Sequence, residues 1–287
     1  MEDQSSDCFV GIELNVEKYI KVENYNFNYY SRGSSTNFPI LFLHGFLGNC
    51  HEFNQSISLL SKDFYCLAVA LPGHGKTKVI GGEEYYKMEH TAQGLIKFIA
   101  ALGIKRCILI GYSMGGRLAL YLALYFPEYF SQAILESASP GLKTQAERDK
   151  RIQQDLKLAK ELETEDFSGF LTKWYNQPLF ASLKKHPDFE KMLEHRLQSN
   201  PLELSKSLHN LSTGCQPSLW IKLQENLVPL LLLVGELDQK FISINTEMVS
   251  LCKLAQLEIV NHCGHNIHWE NANLFVEKIM QFLKVKR

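Results

Sequence analysis

Apolar residues in this chain follow two spacings. Short continuous runs, Pro-Ile-Leu-Phe-Leu at 39–43, Cys-Ile-Leu-Ile at 107–110 and Leu-Leu-Leu-Leu-Val at 230–234, have the length of strands buried on both faces. Between them apolar residues recur three and four apart, as in Phe53, Ile57 and Leu60, and again in Met88, Leu95, Phe98, Ile99 and Leu102. These spacings predict helices over 52–60 and 85–102, and a third over 118–126 that stops before Pro127. Further strands are expected at 64–70, 133–136 and 257–260, with a hairpin at 19–22 and 27–30. Later helices are expected near 243–252 and over 271–284. From 143 to 215 the strand pattern stops, charged residues become denser, and amphipathic spacing takes over, as at Ile152, Leu156, Ala159 and Leu162. The expectation is an α/β fold with a mostly parallel central sheet and flanking helices, residues 16–142 and 216–287. A helical cap, 143–215, is inserted in it, and residues 1–15 form a loose tail.

Gly-Tyr-Ser-Met-Gly at 111–115 lies between the run at 107–110 and the helix at 118–126. A serine in G-x-S-x-G between strand and helix is the nucleophile elbow of the α/β-hydrolase fold, which presents its hydroxyl at the strand's carboxyl end. A serine hydroxyl needs an imidazole to take its proton, and the imidazole needs a carboxylate to hold its tautomer. Both are expected on loops after late strands. Asp238 follows 230–234 in Gly-Glu-Leu-Asp, and His265 follows 257–260 in Cys-Gly-His-Asn. Glu236 competes for the acid role, and His262 and His268 for the base. The amide of Met114, next after the serine, and that of Phe46, in His-Gly-Phe after the first run, are the expected oxyanion donors. His44 and His74 are expected to be structural.

Composition narrows the partners. A net charge of −1 gives no overall attraction to nucleic acid or to an anionic membrane. No apolar run approaches the ~20 residues needed to span a bilayer, and the acidic start lacks the apolar centre of a signal peptide. Seven cysteines, an odd number at no metal-ligand spacing, suggest a reduced, cytoplasmic protein working without metal or cofactor. Oligomeric state is left open.

Arginine is sparse, yet four of them, Arg117, Arg148, Arg151 and Arg196, fall within 117–196, from the elbow into the expected cap. Arg117 is one turn into the elbow helix, and Arg148 and Arg151 share a helix face at i, i+3. Arginine holds carboxylates in a planar fork, so the group suggests a small polyanionic substrate. The ordinary alternative is structural: Arg151 can pair with Asp155 at i+4, and Arg196 can cap a helix end.

The chain resembles the 2-succinyl-6-hydroxy-2,4-cyclohexadiene-1-carboxylate (SHCHC) synthases of menaquinone and phylloquinone biosynthesis, from about Pro39 to the C-terminus. The resemblance rests on Phe-Leu-His-Gly-Phe-Leu-Gly at 42–48, Leu-Pro-Gly-His-Gly at 71–75, Gly-Tyr-Ser-Met-Gly-Gly-Arg at 111–117 and Glu-Ser-Ala-Ser-Pro-Gly-Leu at 136–142. Trp-Tyr-Asn-Gln-Pro-Leu-Phe-Ala-Ser-Leu at 174–183 and Gly-Glu-Leu-Asp-Gln-Lys-Phe at 235–241 extend it. It implies a lyase that eliminates pyruvate from 2-succinyl-5-enolpyruvyl-6-hydroxy-3-cyclohexene-1-carboxylate, a tricarboxylate, with Ser113 as base. It further implies substrate contacts at Arg117, Arg151, Arg196, Tyr112, Trp174 and Phe180, and a structural role for Arg148. The spacing between Phe180 and Arg196 departs from the family pattern. The triad alone fits a serine hydrolase equally well, whether an esterase, a thioesterase or a C–C bond hydrolase.

Overall fold

The apolar runs assemble into one nine-stranded sheet in the computed structural model, which describes residues 17–284. The tail expected for 1–15 lies outside the described residues. The chain opens with β1 (Lys18–Val22), β2 (Tyr25–Arg32), β3 (Pro39–Leu43), α1 (Asn54–Leu60), β4 (Tyr65–Val69), β5 (Lys78–Val79) and α2 (Met88–Ala101). It continues with β6 (Cys107–Tyr112), α3 (Met114–Tyr125) and β7 (Phe130–Glu136). Then come α4 (Gln145–Thr164), α5 (Phe167–Tyr175), α6 (Phe189–Arg196) and α7 (Pro201–Asn210). It closes with β8 (Leu230–Gly235), α8 (Gln239–Leu251), β9 (Ala255–Val260), α9 (Ile267–Glu270) and α10 (Ala272–Lys284). Strands lie in the order β1-β2-β4-β3-β6-β7-β8-β9, with β5 joined to β2. The expected hairpin forms at the antiparallel end, and every pair from β4 through β3 to β9 is parallel.

The continuous runs are explained by burial on both sides. Ile40, Phe42, Ile108, Ile110, Leu231 and Leu233 pack toward α1 and α10. Their alternates Leu41, Leu43, Leu109 and Leu232 pack toward α2 and α3. Several boundaries differ from the spacing: β7 begins at Phe130 rather than 133 and α3 at Met114 rather than 118, and two more have a clear cause. β9 begins two residues earlier than 257, and only Val260 is buried in it, because an edge strand has one neighbour. α8 begins at Gln239 rather than near 243, since Asp238 Oδ1 accepts the Phe241 amide and caps a polar first turn that apolar spacing does not register.

Between β7 and β8 the described residues form helices and no strand. Thr144 and Glu147 start α4 with a reciprocal capping box. Ala159 and Leu162 of α4 are buried as expected, but Ile152 and Leu156 are only half-buried, and Asp155 takes the inward place beside them. These helices have a core of their own, including Leu162, Phe170, Tyr175, Phe180 and Leu204, into which Leu47 inserts from the loop after β3. That contact lays the helices over the carboxyl ends of the strands, where α/β folds place ligands.

Candidate active site

The elbow depends on three residues that tolerate what others do not. Ser113 has φ 50° and ψ −106°, a conformation that costs a non-glycine residue about 1–3 kcal/mol. A Cβ at Gly111 would lie 2.4 Å from the Gly115 carbonyl oxygen, and one at Gly115 would lie 2.2 Å from that of Leu43. Only glycine at both positions lets α3 start this close to β3 and β6. The Ser113 amide donates to the Glu136 carbonyl at 2.9 Å, which ties the strained residue to β7.

Three chain segments then converge. His265 Nε2 is 3.1 Å from Ser113 Oγ, and His265 Nδ1 is 2.6 Å from Asp238 Oδ2. Asp238 and His265 are buried. The competing residues stand elsewhere. Glu236 accepts the His262 amide at the surface, and the His262 side chain is 96% exposed. His268 is buried, but its Nδ1 is 2.6 Å from Glu136 Oε2, and it is His265 that hydrogen-bonds Ser113.

His44 Nδ1 donates to the Gly45 carbonyl at 2.7 Å, so its Nε2 is free to accept the Leu71 amide at 2.9 Å. Burial pushes its pKa down to about 4, so the ring is neutral and serves as a brace between two loops. His74 is likewise buried and held low, with Nδ1 on the Pro72 carbonyl. The braced loop turns at Leu47, φ 69°, closed by the Gly48 amide on the Gly45 carbonyl at 3.0 Å. A Cβ at Gly45 would strike the Tyr112 ring at 2.6 Å, so this loop rests directly on the elbow. Met114 opens α3, and its amide is one of the helix's unpaired first donors.

A pocket of about 460 Å³ opens at the serine. Ser113, His265, Phe46, Met114, Arg117, Arg151, Trp174 and Phe180 all line it. A void of about 30 Å³ adjoins Ser113 and is lined by Tyr112, Arg196, Phe46, Trp174 and Phe180 among others. Of the residues expected in the triad, the oxyanion hole or contact with substrate, only Asp238 is absent from both linings, since it stands behind His265.

The arginines reach the site in different electrical states. Arg117 donates to Gln216 Oε1 at 2.7 Å and to the Leu211 carbonyl at 2.8 Å, both neutral acceptors. Burial and the charge of Arg151 pull its pKa down to about 10, which leaves it charged at neutral pH. Arg151 makes the i+4 pair with buried Asp155 at 2.7 Å and also lines the pocket. Arg148 faces away, with Nε on the Gly214 carbonyl. Arg196 is buried, and each oxygen of Glu52 lies 2.7 Å from one of its terminal nitrogens. Arg196 therefore comes to the small void with its charge already matched, and it is absent from the large pocket.

Trp174 packs against Phe46 at 5.1 Å and Phe180 at 6.3 Å between ring centres, and Phe180 meets His265 edge-on. Both aromatics are wall and cap core at once. Sequence reasoning missed Gln216, which holds Arg117, and Lys240, which lines the pocket. Neither has a local signal, because only the fold brings Gln216 to Arg117 and Lys240 to the pocket. Glu17, Cys50 and His51 bring potential metal ligands within 4.8 Å of one another, but none lines the pocket and Lys76 already pairs with Glu17. No described helix is long and apolar enough to cross a membrane.

Known proteins share this fold. Residues 39–272 match the family model of the alpha/beta hydrolase fold. An Escherichia coli O1:K1 2-succinyl-6-hydroxy-2,4-cyclohexadiene-1-carboxylate synthase is 31% identical over 85% of this chain and 93% of its own length. A Bacillus subtilis protein provisionally given the same name is 36% identical over 88% of this chain and 92% of its own. The structure of MenH from S. aureus superposes with a TM-score of 0.84 at 33% identity, covering 92% of this chain and 98% of that one. An enol-lactonase from Burkholderia xenovorans, 17% identical with a TM-score of 0.80, shares the fold over 93% of this chain and all of its own. The chain belongs to the SHCHC synthase family, lyase-type enzymes built on the α/β-hydrolase fold.

Proposed function

We propose that this protein eliminates pyruvate from 2-succinyl-5-enolpyruvyl-6-hydroxy-3-cyclohexene-1-carboxylate to give SHCHC, a step of menaquinone or phylloquinone biosynthesis. Ser113, His265 and Asp238 carry the chemistry. Ser113 Oγ passes its proton to His265 Nε2 as it takes a proton from the ring. The C–H electron pair becomes a new ring double bond, the existing ring double bond shifts by one carbon and expels the enolpyruvyl oxygen, and the departing enolate takes the proton held by His265 to become pyruvate. Asp238 holds the His265 tautomer and stabilises the imidazolium that forms. The amides of Phe46 and Met114 receive developing negative charge on oxygen. Arg117 and Arg151 bind substrate carboxylates, Arg196 contributes from the small void, and Tyr112, Trp174 and Phe180 shape the wall.

The observation that carries this reading is Arg117. It is a half-buried cation one turn beyond the serine whose hydrogen-bond partners are neutral, so an anionic substrate supplies the charge it lacks. We assign residues 16–142 and 216–287 to a catalytic core and 143–215 to the cap that closes it. The test is purified protein with the enolpyruvyl substrate, pyruvate being followed by coupled oxidation of NADH. Release without added metal or cofactor supports the lyase. Turnover of p-nitrophenyl esters with no pyruvate release would make the protein a serine hydrolase.

A further inference from the structure

Behind the elbow runs a second line of buried charges that the proposed chemistry does not use. Glu136 Oε2 is 2.6 Å from His268 Nδ1, and Glu136 Oε1 accepts the His268 amide at 3.1 Å. His268 Nε2 is 3.6 Å from Glu52 Oε1, which also accepts the Trp269 indole N–H at 3.0 Å. Glu52 then pairs with Arg196, whose Nε reaches Tyr175 Oη at 3.3 Å. All four ionisable side chains are at most 5% exposed. The line starts at the end of β7, with the residue whose carbonyl fixes the Ser113 amide, and ends at the last residue of α6, on the void next to Ser113.

We propose that His268, held as an imidazolium between Glu136 and Glu52, is a positioning residue that sets the cap-borne Arg196 against the serine and keeps the site's rear wall free of net charge. Two carboxylates and one guanidinium sum to −1, and a buried net charge is costly, so the line closes only when His268 carries the missing proton. A neutral ring with its Nδ1 proton on Glu136 would turn a lone pair toward Glu52, acceptor against acceptor. Phe53, Tyr112 and Phe275 wall the ring at 4.2, 4.9 and 5.8 Å between ring centres. Both carboxylates accordingly raise the His268 pKa to about 9.

The other titratable groups nearby do not supply the charge. Tyr112 and Tyr175 are buried with their pKa values pushed up, so both phenols stay neutral. Glu270 turns to the Gly264 amide and Ser182. A cavity of about 310 Å³ on the far side of Glu52, Arg196 and His268 brings Asp188 and Lys191, which pair with each other, along with His51 and His195.

For its kinetic readout this rests on the proposed elimination, but the protonation state is read without turnover. Imidazole ¹⁵N NMR of the wild-type chain should show His268 protonated on both nitrogens at pH 7.5 and titrating near pH 9. A neutral His268 at pH 7.5 overturns the proposal whether or not pyruvate is released. In the pyruvate assay His268→Gln should raise KM about tenfold or more at pH 7 with kcat little changed, because the wall becomes negative against an anionic substrate. Wild-type KM should rise above about pH 9, and the variant should lose that rise. His268→Gln with Glu136→Gln removes one charge of each sign, and recovery of most of the KM is expected. A double variant no better than the single one means His268 acts through packing, and the proposal fails. Wild-type protein that releases no pyruvate while His268 is doubly protonated removes the elimination and leaves the charge line standing.

Discussion

His265 and His268 stand three residues apart and begin alike, each with Nδ1 2.6 Å from a buried carboxylate oxygen. Their far nitrogens meet opposite chemistry. Nε2 of His265 faces the Ser113 hydroxyl, which can donate, so the matching ring is neutral with a lone pair outward. Nε2 of His268 faces Glu52, which can only accept, so the matching ring carries an N–H there. A carboxylate–imidazole contact is therefore not enough to mark a base. The group at the other nitrogen decides whether the ring can accept a proton during a reaction.

The largest expected effect breaks the first pair. Ser113→Ala or Asp238→Asn should lower kcat for pyruvate release by about 10³–10⁴-fold with an unchanged circular dichroism spectrum. Near-normal turnover would move the chemistry away from His265. Breaking the second line should appear in stability. Arg196→Met leaves two buried carboxylates with one imidazolium, and urea unfolding should show a loss of about 3–5 kcal/mol. No loss would mean that the line is hydrated and holds nothing.

Stability against pH separates the two sides further. His268 has its folded pKa raised to about 9, so its contribution is complete below about pH 6.5 and is lost as pH rises through 9. By linkage that loss is at most about 3 kcal/mol. His44 has the opposite sign. With its folded pKa lowered to about 4, its contribution is present above about pH 6.5 and is lost as pH falls through 4. Unfolding free energy measured from pH 4 to 10 should fall at both ends, and His268→Gln should flatten the alkaline side alone.

The arginines extend the contrast at smaller scale. Arg117 has neutral partners and an open pocket before it, so Arg117→Ala should cost about 10–100-fold in kcat/KM by losing a charge-assisted bond to substrate. Arg148 only meets a backbone carbonyl, and Arg148→Ala should stay within about threefold of wild type. Equal effects of the two would mean that Arg117 is structural as well.

Much of this was legible before any fold was seen. The parallel strands showed as unbroken apolar runs because both faces are buried, and the elbow showed because only glycine fits at 111 and 115. Asp238 and His265 followed from their places after two late strands. Arg196 was legible as a residue but not in its state, since Glu52, which matches its charge, lies 144 positions away. His268 stood among the candidate bases for the same reason, its partner Glu136 being 132 positions off. The spacing of α4 marked a helix and missed that Asp155 shares its buried face, because helical periodicity counts apolar residues and not the pairs that make a charge tolerable inside.

The division follows from the range of the forces. Steric fit at a turn, the two-residue and 3.6-residue periods, and the order of elements act over a few neighbouring residues, so the chain by itself determined the sheet, the elbow and the loops that bear Asp238 and His265. Charge compensation in a dry interior acts across whatever the fold brings within 3–4 Å. Only the tertiary structure decided which imidazole faces the serine, which arginine reaches the pocket without a carboxylate partner, and which is held by Glu52.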